Sequence, residues 1–216
     1  MIVLNLKTYE KSFEKALFFT DIAGEVVEET GVRIVLCPPQ LFLREAAERS
    51  SDIFAQHVDS VSPGAFTGSI PAELLRVSKV KGSLVNHSEM RIGLEKVKAA
   101  VDSLHKVGLE SLVCAESVNE GGEIASFSPT YIAVEPPELI GSGVSVSNAK
   151  PEIVTDSVSK IKDINPNIKV LCGAGVSNAE DVKKAVELGA EGVLLASAFV
   201  KAEDPKEFLK GLASSF

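Results

Sequence analysis

The chain has 216 residues, 45% of them hydrophobic, and a net charge of −8 with a pI near 5.0. That length supports one domain with a large core, while the acidic balance and the absence of tryptophan argue against nucleic acid or an anionic membrane as partner. Lys7 interrupts the apolar opening MIVLNLK, so neither a signal peptide nor a membrane span is expected. Cys37, Cys114 and Cys172 each end an apolar run and read as buried, reduced thiols of a cytoplasmic protein.

Short apolar runs alternate with longer amphipathic segments along the whole chain. The runs are Ile2–Leu6, Arg33–Leu36, Ile53–Gln56, Ser83–Val85, Ser111–Cys114, Tyr131–Val134, Lys169–Leu171 and Gly192–Leu195. Their richness in Val, Ile and Leu is that of strands buried on both faces. Helical spacing marks Ser12–Glu29 closed by Gly31, then Pro39–Arg49, Arg91–Lys106, Pro151–Ile164 and Asn178–Leu188. Asp204-Pro205 opens a last helix with an N-cap and a first-turn proline. The connections Asp59–Lys79 and Ser117–Ser128 are less regular, and their helices are expected to be short or broken. Eight βα units with no break in composition predict a single (β/α)8 barrel over residues 1–216, compact and with trimmed loops. An open doubly wound sheet is the competitor. It calls for a glycine-rich fingerprint after the first strand, where Lys7-Thr8-Tyr9-Glu10 stands instead.

In such a barrel the ligand meets the loops after the strands' carboxyl ends. Those positions hold Asn5 and Lys7, then Asn86-His87-Ser88-Glu89, Glu135, Gly173-Ala174-Gly175 and Ala196-Ser197. A carboxylate and an imidazole serve proton transfer, and small-residue turns offer backbone N–H groups to an anion. Glu135 closes the run Tyr131–Val134 and is followed by Pro136-Pro137, a short apolar tip and Gly141-Ser142-Gly143. A rigid entry and a permissive exit suit a loop that moves as one lid. Taken singly, each feature also has an ordinary reading: a Pro/Gly surface turn, a structural histidine, a surface lysine, helix-start chemistry at Ser88, Glu89 and Arg91. Alternation from Ile2 or Leu4 is expected to aim Lys7 at the apolar interior or the mouth, where an unpaired charge is costly. No metal-ligand spacing involves His57 or His105, so neither a metal nor a cofactor is expected.

Taken in order, these pieces resemble the triosephosphate isomerases, in their short archaeal form. The matching segments are Asn5-Leu6-Lys7-Thr8-Tyr9, Ala55-Gln56, Gly64-Ala65-Phe66-Thr67-Gly68, Asn86-His87-Ser88-Glu89 with Arg91, and Ala133-Val134-Glu135-Pro136. Ile140-Gly141-Ser142-Gly143, Cys172-Gly173-Ala174-Gly175-Val176 and Leu194-Leu195-Ala196-Ser197 complete the set. The resemblance implies interconversion of dihydroxyacetone phosphate and glyceraldehyde 3-phosphate through an enediol(ate), in glycolysis and gluconeogenesis. It implies Glu135 as base, and His87 as electrophile, kept neutral by the start of a following helix. Lys7 then supplies fixed positive charge, Asn5 orients substrate oxygens, and Glu89 holds the lysine. Phosphate is expected on the backbone around Ile140, Gly141, Ser142, Gly175, Ala196 and Ser197.

Three departures stand out: Met90 where a basic residue is common, Ser69 where an acidic one is common, and Ala198-Phe199 in place of smaller residues. An apolar tip at Ala65-Phe66 predicts at least a homodimer, with a homotetramer open. Other phosphate-binding barrels, a silent sugar-phosphate sensor and a structural barrel are the competing readings. The related epimerases use His and Asp metal ligands at strand ends, and this sequence has none. A sensor has no need of Glu135, His87 and Lys7 together.

Overall fold

The computed structural model describes residues 1–50, 52–136 and 146–216. Among these, eight parallel strands alternate with helices: β1 (Ile2–Asn5), β2 (Ile34–Cys37), β3 (Phe54–Ala55), β4 (Gly82–Val85), β5 (Glu110–Ala115), β6 (Tyr131–Val134), β7 (Lys169–Cys172) and β8 (Gly192–Leu195). The strands follow the order β2-β1-β8-β7-β6-β5-β4-β3. Between the two ends of that order lies a parallel bridge from Leu36 to Ile53, with the Leu36 amide donating to the Asp52 carbonyl at 3.0 Å. The sheet thereby closes on itself as the expected (β/α)8 barrel. Its weakest seam is at β3, the run expected to reach Gln56.

Strand residues divide between two apolar clusters, as a closed parallel sheet requires. Val3, Val35, Cys37, Leu84, Leu112, Cys114, Tyr131, Ala133, Leu171 and Leu194 fill the interior with Phe54. Ile2, Leu4, Leu6, Val85, Val113, Ile132 and Val134 face outward, onto the helices. On β1 the inward series therefore runs Val3, Asn5, Lys7, and not through Ile2 or Leu4.

The helices are α1 (Glu10–Thr30), α2 (Leu43–Arg49) after a short turn at Gln40–Phe42, α3 (Ala72–Val77), α4 (Leu94–Lys106), α5 (Val118–Ala125), α6 (Val146–Ala149), α7 (Pro151–Ile164), α8 (Ala179–Glu187), α9 (Ser197–Val200) and α10 (Pro205–Ala213). Gly31 ends α1 in the left-handed conformation, φ 71°, where a side chain is disfavoured. Asp204 caps α10 through its side chain, as its sequence position predicts, and Asn178, expected inside its helix, caps α8 in the same way. α5 is short, as expected, but unbroken. Its Gly121 and Gly122 face Ile161 and Lys160 of α7, so these glycines permit close helix packing.

The amino-terminal end of the barrel is tied by Arg33. Its guanidinium donates to Asp52, to both oxygens of Glu110 and to the Tyr131 hydroxyl, joining the starts of four strands. No helix among the described residues is long and apolar enough to cross a membrane.

Candidate active site

The carboxyl ends of the strands build one mouth. Asn5 is buried at the end of β1, and its side-chain oxygen accepts the Lys7 amide at 3.0 Å. Lys7 has φ 47°, in the left-handed region that a side chain enters at a cost. Gln56, after β3, donates to the Lys7 and Cys37 carbonyls at 3.0 Å each. These bonds hold the Lys7 backbone, while its Nζ lies 2.7 Å from Glu89 Oε1.

β6 carries Tyr131, Ala133 and then Glu135 on its inner face, so alternation alone delivers this carboxylate to the mouth. Only 5% of Glu135 is exposed, and its Oε2 has no hydrogen-bond partner among the described residues. Burial pushes its pKa up to about 7, although the Cys114 thiol, the Lys7 charge and the Ser88 amide pull the other way. Gly173, after β7, makes room for it: a Cβ there would lie 2.6 Å from Glu135 Cγ.

His87 follows β4, with Nε2 3.8 Å from Glu135 Oε1, beyond direct hydrogen-bonding distance. Its Nδ1 accepts the Glu89 amide at 3.2 Å, which places the proton of the neutral ring on Nε2. Burial, then the Lys7 charge, lowers the His87 pKa, with Glu89 opposing. The direction agrees with expectation, but the cause is corrected. α4 begins only at Leu94, so among the described residues His87 does not open a helix; burial and the Lys7 charge lower its pKa. The same finding removes the helix-start reading of Ser88, Glu89 and Arg91.

Gly175, Ala196 and Ser197 line a cavity of about 160 Å³ between the turns at 173–177 and 194–198. Ala198 shares that lining, whereas Phe199 is fully buried and packs on Phe19 with ring centroids 5.1 Å apart. The bulk of Phe199 thus serves the core behind the turn. Ile140, Gly141, Ser142 and the proposed lid lie outside the described residues. A larger cleft of about 720 Å³ reaches Asn5, Gln56, His87 and Glu89 from the side, its outer wall made by Phe13 and Leu41. Among the described residues, no three His, Cys, Asp or Glu side chains group closely enough to hold a metal ion.

The family model described as triosephosphate isomerase matches residues 1–213. The chain belongs to the triosephosphate isomerase family. It is 46% identical to a triosephosphate isomerase of Methanocaldococcus jannaschii over 214 residues, covering 98% of both chains. A relative of the same name from Methanothermus fervidus is 47% identical over 214 residues, or 98% of this chain and 96% of the relative. One from Methanosarcina barkeri is 43% identical over 214 residues, with the same two shares.

Within this triosephosphate isomerase frame, Met90 stands at the edge of the large cleft, 53% exposed, and makes no ionic contact with the site. The Ser69 amide donates to the Phe66 carbonyl at 3.1 Å, so a neutral residue here closes the loop tip through its backbone. Sequence reasoning assigned no role to Gln56, Asn86 or Glu120, and read Gly173 only as part of an anion-binding turn. Only Glu120 had a readable signal, the Ser117-x-x-Glu120 pattern that opens a helix.

Proposed function

We propose that Glu135, His87 and Lys7 form the centre at which this triosephosphate isomerase interconverts dihydroxyacetone phosphate and glyceraldehyde 3-phosphate. Glu135 takes a proton from the carbon bearing the hydroxyl. The His87 Nε2–H, proton-bearing and neutral, donates a hydrogen bond to the neighbouring carbonyl oxygen. An enediol(ate) results; the proton held on Glu135 returns to the adjacent carbon, while the proton of the original hydroxyl passes, by way of His87 Nε2–H, to the former carbonyl oxygen. Lys7 places a fixed positive charge where the oxyanion develops, with Glu89 holding its ammonium and Asn5 its backbone. The phosphate rests on the turns of Gly175, Ala196 and Ser197, with Ile140, Gly141 and Ser142 expected to complete the cradle. Local N–H dipoles outweigh a net charge of −8 that is spread over the surface and screened.

The observation that carries the reading is the convergence of three side chains from strands far apart in sequence. Lys7 and Glu89 meet at 2.7 Å and His87 and Glu135 at 3.8 Å, with Glu135 buried and its proton affinity raised to about 7. A coupled assay with glyceraldehyde 3-phosphate tests it. Glu135→Asp folds and loses most of kcat; unchanged turnover would remove Glu135 from the role of base.

The working form is a homodimer or homotetramer in the cytoplasm, with no cofactor, nucleic acid or membrane partner. The apolar side cleft next to His87 and the half-exposed Phe66 support self-association. Three buried free cysteines support a reducing compartment.

A further inference from the structure

The alternation of β4 breaks at Asn86. Leu84 points inward and Val85 outward, so continued pleating would send His87 outward, toward the helices. Asn86 instead has φ 61°, a left-handed conformation that asparagine tolerates better than most residues. The turn that follows brings His87 to Glu135. Asn86 is buried, and its side chain is fully engaged. Its Nδ2 donates to the Cys114 carbonyl at 3.1 Å and toward Glu120 Oε1 at 3.4 Å, and its Oδ1 accepts the Ile92 amide at 3.0 Å.

Arg91 fastens the other end of the same turn. Its guanidinium bonds Glu120 Oε1 and stands 3.5 Å from Glu116. The second Glu120 oxygen accepts the Glu116 amide at 2.8 Å, while the Glu120 amide donates to the Ser117 hydroxyl at 3.2 Å. One carboxylate, 14% exposed, therefore joins the loop after β4 to the loop after β5. Between its two attachments lie the three residues that this loop gives to the site. His87 faces Glu135, the Ser88 amide supports Glu135, and Glu89 holds Lys7.

We propose that Glu120 is a positioning residue for the isomerisation: through Asn86 and Arg91 it fixes the left-handed turn that aims His87 at Glu135 and keeps Glu89 on Lys7. The inference rests on the assignment of His87, Glu135 and Lys7 as the reaction centre. The competing account is a structural ion pair that only stabilises the fold.

The two accounts separate in Glu120→Gln and in Asn86→Gly, which keeps the left-handed backbone accessible and removes the side-chain clamp. The readouts are kcat and KM in both directions, the melting temperature, and the imidazole nitrogen chemical shifts of His87. Positioning predicts a kcat lower by about tenfold to a hundredfold, the scale of a misplaced catalytic group. KM should stay within about twofold, because the turns at 173–177 and 194–198 are untouched. The His87 nitrogens should move from one fixed tautomer toward an average, and the double variant should lose little more than the worse single. Wild-type kcat in folded Glu120→Gln overturns the proposal. So does a loss of kcat that tracks the melting temperature while the His87 shifts stay fixed. His87→Gln, assayed in parallel, separates the two levels. If its kcat is unchanged, the reaction centre itself is wrong; if its kcat falls while that of Glu120→Gln does not, only the positioning role fails.

Discussion

His87 Nε2 and Glu135 Oε1 stand 3.8 Å apart, one on a ring kept neutral by burial and Lys7, the other on a carboxylate whose burial raises its pKa to about 7. The pair divides acid and base functions between two buried groups. Alternation on β4 does not bring them together; the left-handed Asn86, φ 61°, turns the chain between Val85 and His87.

The first prediction concerns rate. Glu135 acts as base only when ionised, so kcat/KM for the free enzyme should rise with pH and level off above about 7. Burial and the Lys7 charge lower the His87 pKa, so its titration precedes the Glu135 limb as pH rises. The rising limb should persist, at reduced height, in His87→Gln. A profile flat from pH 6 to pH 8 would contradict the assignment.

The second concerns stability. The Glu135 pKa rises from 4.5 to about 7 on folding, so the folded state holds the proton more tightly than the unfolded chain. Stability from this group therefore falls as pH rises between about 4.5 and about 7, by about 3 kcal/mol in full. Glu135→Gln should be the more stable protein at pH 8 and show little difference at pH 4. Denaturant melts at both values measure this directly.

The third concerns space. Gly173→Ala places a Cβ 2.6 Å from Glu135 Cγ and 3.2 Å from the Val134 carbonyl, so the carboxylate must shift. We expect a loss of kcat of about tenfold to a hundredfold, with a stability cost of about 1–3 kcal/mol. Retained kcat in steady-state assays would show that Glu135 has another productive position.

The fourth concerns the end of the barrel away from the mouth. Arg33→Met leaves Asp52, Glu110 and Tyr131 without their shared donor. These groups are partly exposed, so the cost should be about 1–3 kcal/mol, below that of a fully buried pair. The kcat should not change, since no residue of the mouth touches this network. Thermal denaturation beside a standard assay checks both statements.

The fifth concerns assembly. Phe66 is 53% exposed at the tip of its loop, and Phe66→Ser removes the apolar group that a second copy would cover. Sedimentation should show a shift toward monomer at micromolar concentration. An unchanged mass would place the interface elsewhere.

All eight strands were legible because each, the first residues of β5 and β7 apart, is buried and reads as a short run rich in Val, Ile and Leu. β3 was read too long. The run at 53–56 is apolar enough, but it pairs fully only with β4 and touches β2 through one bridge. α5 was read as irregular because glycine lowers helix propensity, and the packing of Gly121 and Gly122 against α7 is not a local property. Glu135 could be placed from pattern alone, two pleats beyond Tyr131. His87 could not, since the same rule applied to β4 sends it the wrong way.

The amino-acid order by itself determined the barrel, the inward carboxylate and the family likeness, because these follow from local periodicity and from motifs read in sequence. Tertiary structure decided which way His87 points, that Gly173 yields space to Glu135, and that Glu120 serves two loops at once. Those are contacts between separate strand ends, and pleating and propensity act only along one segment of chain. Burial decided the protonation of Glu135 for the same reason: a carboxylate's pKa depends on the water its neighbours exclude, which no stretch of residues specifies alone.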